Sequence, residues 1–139
     1  MLGTKACDSP EFVSALVHDF HSRIVVGIDA RNGVVAIKGW TKETTVTATD
    51  LAGQISRLGV QNIIFTDVST DGMLAGPNYM AISAVCAAVT CNVVASGGIG
   101  NMMDVSRLRA LGWSAPTDFE TGMKEAYQWY VVNVAERSA

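Results

Sequence analysis

Short continuous apolar runs alternate along the chain with stretches whose apolar positions recur every three or four residues, the periodicities of buried parallel strand and amphipathic helix. Arg23 to Asp29 is the first such run and ends on a carboxylate, and Asn62 to Thr66 is the second. Asn92 to Ala95 is the third, closed by Gly97-Gly98. Helical spacing fills the intervals. Ser9-Pro10-Glu11 predicts a helix running to about Phe20, with Ser9 capping free amides and Pro10 at the first helical position, where only an orphan donor is lost. Thr47 to Leu58, stopped by Gly59, is the next helix, and Asn78 caps another reaching about Val89. Arg31-Asn32-Gly33 can take positive φ and Val34 to Lys38 reads as extended, so a small hairpin is expected after the first strand.

Strand and helix alternating with short links predict right-handed β-α-β units and an α/β fold built on a parallel sheet. A closed eight-stranded barrel and an open, flavodoxin-like sheet both satisfy the pattern. A closed barrel takes about 250 residues, so a chain of 139 can form a partial (β/α) TIM-type barrel, about half. Beyond Met102 the pattern changes. Val105 to Leu111 is a short amphipathic helix stopped at Gly112, and Thr117-Asp-Phe-Glu120 reads as a capping box opening a second helix to about Val134. The expected organisation is a barrel portion over 1–101 and a helical tail over 102–139.

Composition narrows the function classes. With 49% hydrophobic and 17% charged residues the chain can bury a core as one unit. A net charge of −3 and a pI near 5.2 supply no basic field for nucleic acid or an anionic membrane, so neither is an expected partner. No apolar run approaches the roughly 20 residues of a membrane helix, and the start lacks a signal-peptide core; the reading is cytoplasmic. Cys7, Cys86 and Cys91 are odd in number, lack CxxC spacing and read as small buried hydrophobes. His18 and His21 flank a helix end and read as surface or capping residues. No metal site is expected.

Ligands of parallel β-α folds sit outside the carboxyl ends of the strands, so Asp29, Thr66, Asp71 and Gly97-Gly98 converge on one face. A carboxylate there can give or take a proton; the plainer alternative for Asp29 is a capped turn, and for Asp67 it is hydrogen bonding to loop amides. Ser96-Gly97-Gly98-Ile99 sets bare amides between a strand and a helix, a geometry able to cradle phosphate. Gly3-Thr4 can form a second phosphate turn or a loose terminus. Trp40 can stack on a ligand or serve as a hydrophobic lid contact.

Gly27-Ile-Asp-Ala-Arg-Asn-Gly33, Lys38-Gly-Trp40, Phe65-Thr-Asp-Val-Ser-Thr-Asp-Gly-Met-Leu-Ala-Gly-Pro77 and Ala95-Ser-Gly-Gly-Ile99 resemble, in order and spacing, the phosphoribosylformimino-aminoimidazole carboxamide ribotide isomerase family of histidine biosynthesis. Leu2-Gly-Thr-Lys-Ala6 is similar to that family's fourth strand end, so the likeness covers about residues 1–101 and strands four to seven of a two-fold repeated barrel. The resemblance implies an Amadori rearrangement of an aminoaldose carrying a phosphate at each end, without metal or organic cofactor. It implies Asp29 as the acid that opens the ribose ring, Thr66 and Asp71 as orienting and proton-shuttling groups, Trp40 as a substrate loop, and Gly97-Gly98 and Gly3-Thr4 as contributors to opposite phosphate sites. The family's other catalytic aspartate lies on its first strand and the rest of one phosphate site on its eighth. Their absence implies turnover lowered on the order of 10²–10⁴-fold, unless a homodimer completes the barrel; the alternative is a non-catalytic phosphosugar-binding or self-associating half-barrel. The tail, Met103 to Trp113 and Thr121 to Tyr130, resembles the C-terminus of GDP-fucose synthase and related nucleotide-sugar epimerases. It lacks their Gly-rich cofactor loop and Tyr-x-x-x-Lys pair, so this likeness implies ancestry, a gene joined near Gly100 to Met102, and helices that cover an open edge or apolar face of the sheet.

Overall fold

A computed structural model describes residues 1–73, 75–114 and 117–133; the predicted helix end at Val134 lies outside them. Five strands form one open sheet in the order β3-β2-β1-β4-β5. Strands β1 (Val25–Arg31), β4 (Asn62–Asp67) and β5 (Asn92–Ser96) are mutually parallel, while β2 (Val34–Ile37) and β3 (Lys42–Thr47) run antiparallel beside β1. Leu2 adds a parallel bridge to β1: its N–H donates to Val25 O at 2.8 Å and its carbonyl accepts from Gly27 N at 2.7 Å.

Helices α1 (Thr4–Asp8) and α2 (Pro10–Phe20) precede β1, α3 (Ala48–Arg57) leads into β4, and α4 (Tyr79–Ala88) into β5. They are followed by α5 (Met102–Ala110) and α6 (Phe119–Asn133). The predicted cap holds at α4, where Asn78 Oδ1 accepts from Ala81 N at 3.1 Å, and α3 has a cap of its own in Thr47, whose hydroxyl accepts from Asp50 N at 3.1 Å. Two differ. Ser9 contributes only its backbone carbonyl, to Val13 N at 3.3 Å, because its side chain makes no capping bond. The last helix is capped by Asp118 rather than Thr117, Asp118 Oδ1 accepting from Thr121 N at 2.9 Å.

The sheet is not parallel throughout, because the predicted hairpin returns twice. Asn32 and Gly33, at φ 53° and 80°, make the turn, and pairing of Ala30 with Val35 and Arg31 with Val34 extends β1 beyond Asp29. Strand β3 is an element that apolar periodicity does not announce. Antiparallel pairing with β2 holds it instead, and the Thr44 hydroxyl adds a bond to Val35 O at 3.0 Å.

Alternation along the three parallel strands divides the sheet into a dry and an open face. Val26, Ile28, Ala30, Ile63, Phe65 and Val93 are buried against Leu51 and Ile55 of α3, Ile82 and Val85 of α4, and Val13 of α2. Each large apolar side chain buried there contributes about 1.5–3 kcal/mol. The other face carries Val25, Gly27 and Asp29 with their in-register partners. Gly27, Ile64 and Val94 form one row, and Val94 is 38% exposed. Beyond β5, the sheet's last strand, Trp113 donates its indole N–H to Val93 O at 2.8 Å, so the start of the tail anchors on the terminal strand.

Candidate active site

Asp29, Thr66 and Ser96 are register partners across β1, β4 and β5. Paired residues of parallel strands point to the same face about 4.8 Å apart, so a carboxylate and two hydroxyls stand side by side at the carboxyl end of the open face. Thr66 is buried and Asp29 half-buried. Lys38, Gly39 and Trp40 follow one another at φ 55°, 63° and 68°. A left-handed backbone disfavours each non-glycine residue by about 1–2 kcal/mol, and here it curls the loop so that Trp40 Nε1 donates to Asp29 Oδ2 at 2.9 Å. Trp40 is therefore a polar contact on the candidate acid.

Gly3 and Thr4 join the same corner. The Thr4 hydroxyl accepts from Lys38 N at 3.1 Å, which ties the chain's start to the Trp40 loop. Gly3, Thr4, Asp29, Lys38 and Gly39 line a pocket of about 30 Å³, room for a water or two.

Asp67, one residue past Thr66, is buried and serves the loop. Its Oδ1 accepts from Ser69 N at 2.9 Å and its Oδ2 from Asn78 Nδ2 at 2.6 Å, in keeping with the loop-amide reading of its sequence context. Asp71 is exposed in the segment so held. The Gly97-Gly98 turn packs under that loop at φ 87° and 76°. A Cβ on Gly97 would lie 2.9 Å from Asp67 O, and one on Gly98 would overlap Gly76 O, so both positions need glycine for the close approach. Gly76 N donates to Gly98 O at 3.2 Å.

The start of α5 is already satisfied. Asn101 Oδ1 accepts from Met103 N at 2.8 Å and Asp104 N at 3.2 Å, and Asp104 Oδ2 accepts from Gly100 N at 3.0 Å and Asn101 N at 3.2 Å. Asp104 Oδ1 takes the Tyr79 hydroxyl at 2.6 Å. That hydroxyl and the Gly100 amide hold the Asp104 carboxyl below its ordinary range, and the bond to Asp104 raises the Tyr79 phenol. This half-buried cluster is not among the sites expected from the sequence, although Asn-x-x-Asp at 101–104 is a readable capping signature. Among the described residues, no group of three or more His, Cys, Asp and Glu is placed to hold a metal ion, and no helix is long and apolar enough to cross a membrane.

An acid and hydroxyls in one row, a tight Gly-Gly turn beside them and helices packed on the other face define a module of the (β/α)-barrel class, its sheet open. Comparison with known proteins narrows the class. The family model described as "Histidine biosynthesis protein" matches residues 1–116, and the chain belongs to that family. A Citrifermentans bemidjiense protein is 44% identical over 139 residues, covering 100% of this chain and 56% of its own length. One from Acetivibrio thermocellus is 45% identical over 114 residues, 82% of this chain and 48% of its own. One from Synechococcus is 50% identical over 111 residues, 80% and 43%. All three are named as imidazole-4-carboxamide isomerases, with two 5-phosphoribosyl groups in the substrate name. The chain spans about half the length of these relatives.

Proposed function

We propose that the chain carries one half of an aldose–ketose isomerase site for a substrate with a phosphate at each end, in the phosphoribosyl step of histidine biosynthesis. The row formed by Asp29, Thr66 and Ser96, beside the Gly97-Gly98 turn, carries the reading. Asp29 protonates the ribose ring oxygen as the ring opens, Thr66 orients the opened chain, and Asp71 passes protons as the aminoaldose becomes the aminoketose. Because Asn101 and Asp104 already occupy the amides of Gly100, Asn101, Met103 and Asp104, one phosphate rests on the Gly97-Gly98 turn itself, and the other at Gly3-Thr4. Trp40 leaves Asp29 when substrate enters. Family resemblance calls for neither metal nor organic cofactor.

The open face supports a homodimer in which a second copy supplies the opposing strands, since a two-fold repeated barrel has self-complementary edges. We place this activity in the reducing cytoplasm, which suits three free cysteines. Helix α5 and the Trp113 that follows it act in this reading as a cover for the end of the sheet, with Trp113 on Val93 O as the contact to its last strand.

Conversion of the ribotide aldose to its ketose, assayed beside Asp29→Asn at equal concentration, tests the reading. Asparagine still offers Trp40 an oxygen, so the fold is kept while the acid is lost. Turnover falling on the order of 10²–10⁴-fold in the variant supports it; turnover in neither protein favours the non-catalytic phosphosugar-binding half-barrel.

A further inference from the structure

The β4–α4 loop is held by a side-chain pair that the site row does not include. Asn78 works in two directions: Oδ1 caps α4 at Ala81 N, 3.1 Å, and Nδ2 donates to Asp67 Oδ2 at 2.6 Å. Asp67, 3% exposed, is bonded at three further points. Its Oδ1 takes Ser69 N at 2.9 Å, and its carbonyl takes both Thr70 N at 3.2 Å and Thr70 Oγ1 at 3.1 Å. That same carbonyl is the atom a Cβ on Gly97 would meet at 2.9 Å. Further along, Met73 N donates to Thr70 O at 3.1 Å and Gly76 N to Gly98 O at 3.2 Å. The segment carrying Asp71 is thus pinned at its start by Asp67 and at its end by Asn78, and it rests on the Gly-Gly turn between the pins.

We propose that Asp67 and Asn78 are a positioning pair that sets the Asp71 loop on the Gly97-Gly98 turn and so shapes the anion-binding face of that turn. The second half of this inference rests on the phosphate role proposed above for Gly97-Gly98; the first half does not. A half-buried, charge-assisted hydrogen bond 2.6 Å long is of the strong type, and its geometry is reversible. In Asp67→Asn the new amide must face the Ser69 N–H or the Asn78 amide, or make Asn78 abandon Ala81. In Asn78→Asp the cap survives, since Asp caps helices as well as Asn, but two carboxylates are pressed together. Exchanging the two residues restores every bond: the amide now at position 67 donates to the carboxylate now at position 78, whose other oxygen caps Ala81, and the net charge equals that of the unchanged chain.

The test uses four versions of the 139-residue chain: unchanged, Asp67→Asn, Asn78→Asp and the exchanged double variant. Amide hydrogen exchange at Thr70 and Met73 should quicken about tenfold or more in each single variant, as loss of one such bond implies, and return to within about threefold in the double variant. Inorganic phosphate, followed by the Gly98 amide shift, should bind more weakly to the single variants and regain its affinity in the exchanged one. Unchanged exchange in Asp67→Asn, or failure of the exchanged variant to recover, overturns the pair. Should Asn78→Asp not fold, Asp67→Asn against the double variant makes the same comparison. Equal phosphate affinity in all four chains overturns the anion-shaping role. Absence of any phosphate response in the unchanged chain removes the phosphate reading of Gly97-Gly98 and that role with it, while hydrogen exchange still decides the pair.

Discussion

The indole nitrogen of Trp40 lies 2.9 Å from Asp29 Oδ2, so the acid of the candidate site is held by a loop that must itself adopt a left-handed backbone. Trp40→Phe removes the donor and keeps the ring. A partly exposed hydrogen bond of this kind contributes about 0.5–1.5 kcal/mol, and that loss is the expected outcome in urea denaturation. Asp29→Ala should cost less in the Trp40→Phe background than in the unchanged chain; additive losses would show that the two groups do not interact in solution.

Gly98 and Gly39 separate backbone strain from crowding. Both have positive φ, 76° and 63°, but a Cβ on Gly39 meets nothing within 4 Å, whereas one on Gly98 would run into Gly76 O and approach Thr70 Cβ at 3.0 Å. Gly39→Ala is expected to lose about 1–2 kcal/mol from the left-handed backbone alone. Gly98→Ala adds an overlap with backbone atoms, typically about 1–3 kcal/mol more. Thermal or urea unfolding of the two variants checks the order, and equal losses would mean that the turn and the loop part in solution.

The parts legible from sequence are those with a local cause. The cap at Asn78, the stop at Gly59 and the positive φ of Asn32-Gly33 each depend on a few neighbouring residues, and each stands where expected. The row of Asp29, Thr66 and Ser96 was half legible: the strand ends placed the acid and the first hydroxyl, but only register places Ser96 beside them. Strand β3 escaped because Lys42–Thr47 is mostly polar and is fixed by pairing with β2, a long-range effect that apolar periodicity does not encode. The Trp40 to Asp29 bond escaped for a related reason, since nothing in Lys38-Gly39-Trp40 forces three successive left-handed residues except the contacts that result.

Tyr79 and Asp104 predict opposite responses to pH. The Asp104 carboxyl is depressed, chiefly by the Tyr79 hydroxyl, so its contribution to stability is complete above its ordinary value of 3.8 and is lost as pH falls through the folded value. The Tyr79 phenol is raised, chiefly by its bond to Asp104, so its contribution is complete below its ordinary value of 10.0 and is lost as pH rises through the folded value. Tyr79→Phe should flatten the alkaline limb and also make the acid limb shallower, because Asp104 loses its main donor and its folded value returns toward the ordinary one. Asp104→Asn should flatten the acid limb. Melting temperature against pH for the three proteins checks this, and an acid limb unmoved by Tyr79→Phe would show that the amides of Gly100 and Asn101 alone hold the carboxylate.

Val93 and Val94 are neighbours on β5 with opposite environments, 6% and 38% exposed, and this difference tests what covers the open face. Val93 points into the core, so Val93→Ala should destabilise the chain by about 1–3 kcal/mol through lost burial and a cavity. Val94 stands in the row with Gly27 and Ile64. If a second copy supplies the facing strands, that row becomes barrel interior, and Val94→Asp places an unpaired charge where no water can reach it. The expected result is a weaker dimer in sedimentation equilibrium, with the melting temperature falling as protein concentration is lowered. If the face stays wet, a surface substitution of this kind changes stability by no more than about 0.5 kcal/mol and leaves association untouched. Val94→Asp behaving like the unchanged chain in both measurements, beside a destabilised Val93→Ala, would rule out completion of the barrel by a second copy and leave the row of Asp29, Thr66 and Ser96 as a half-site.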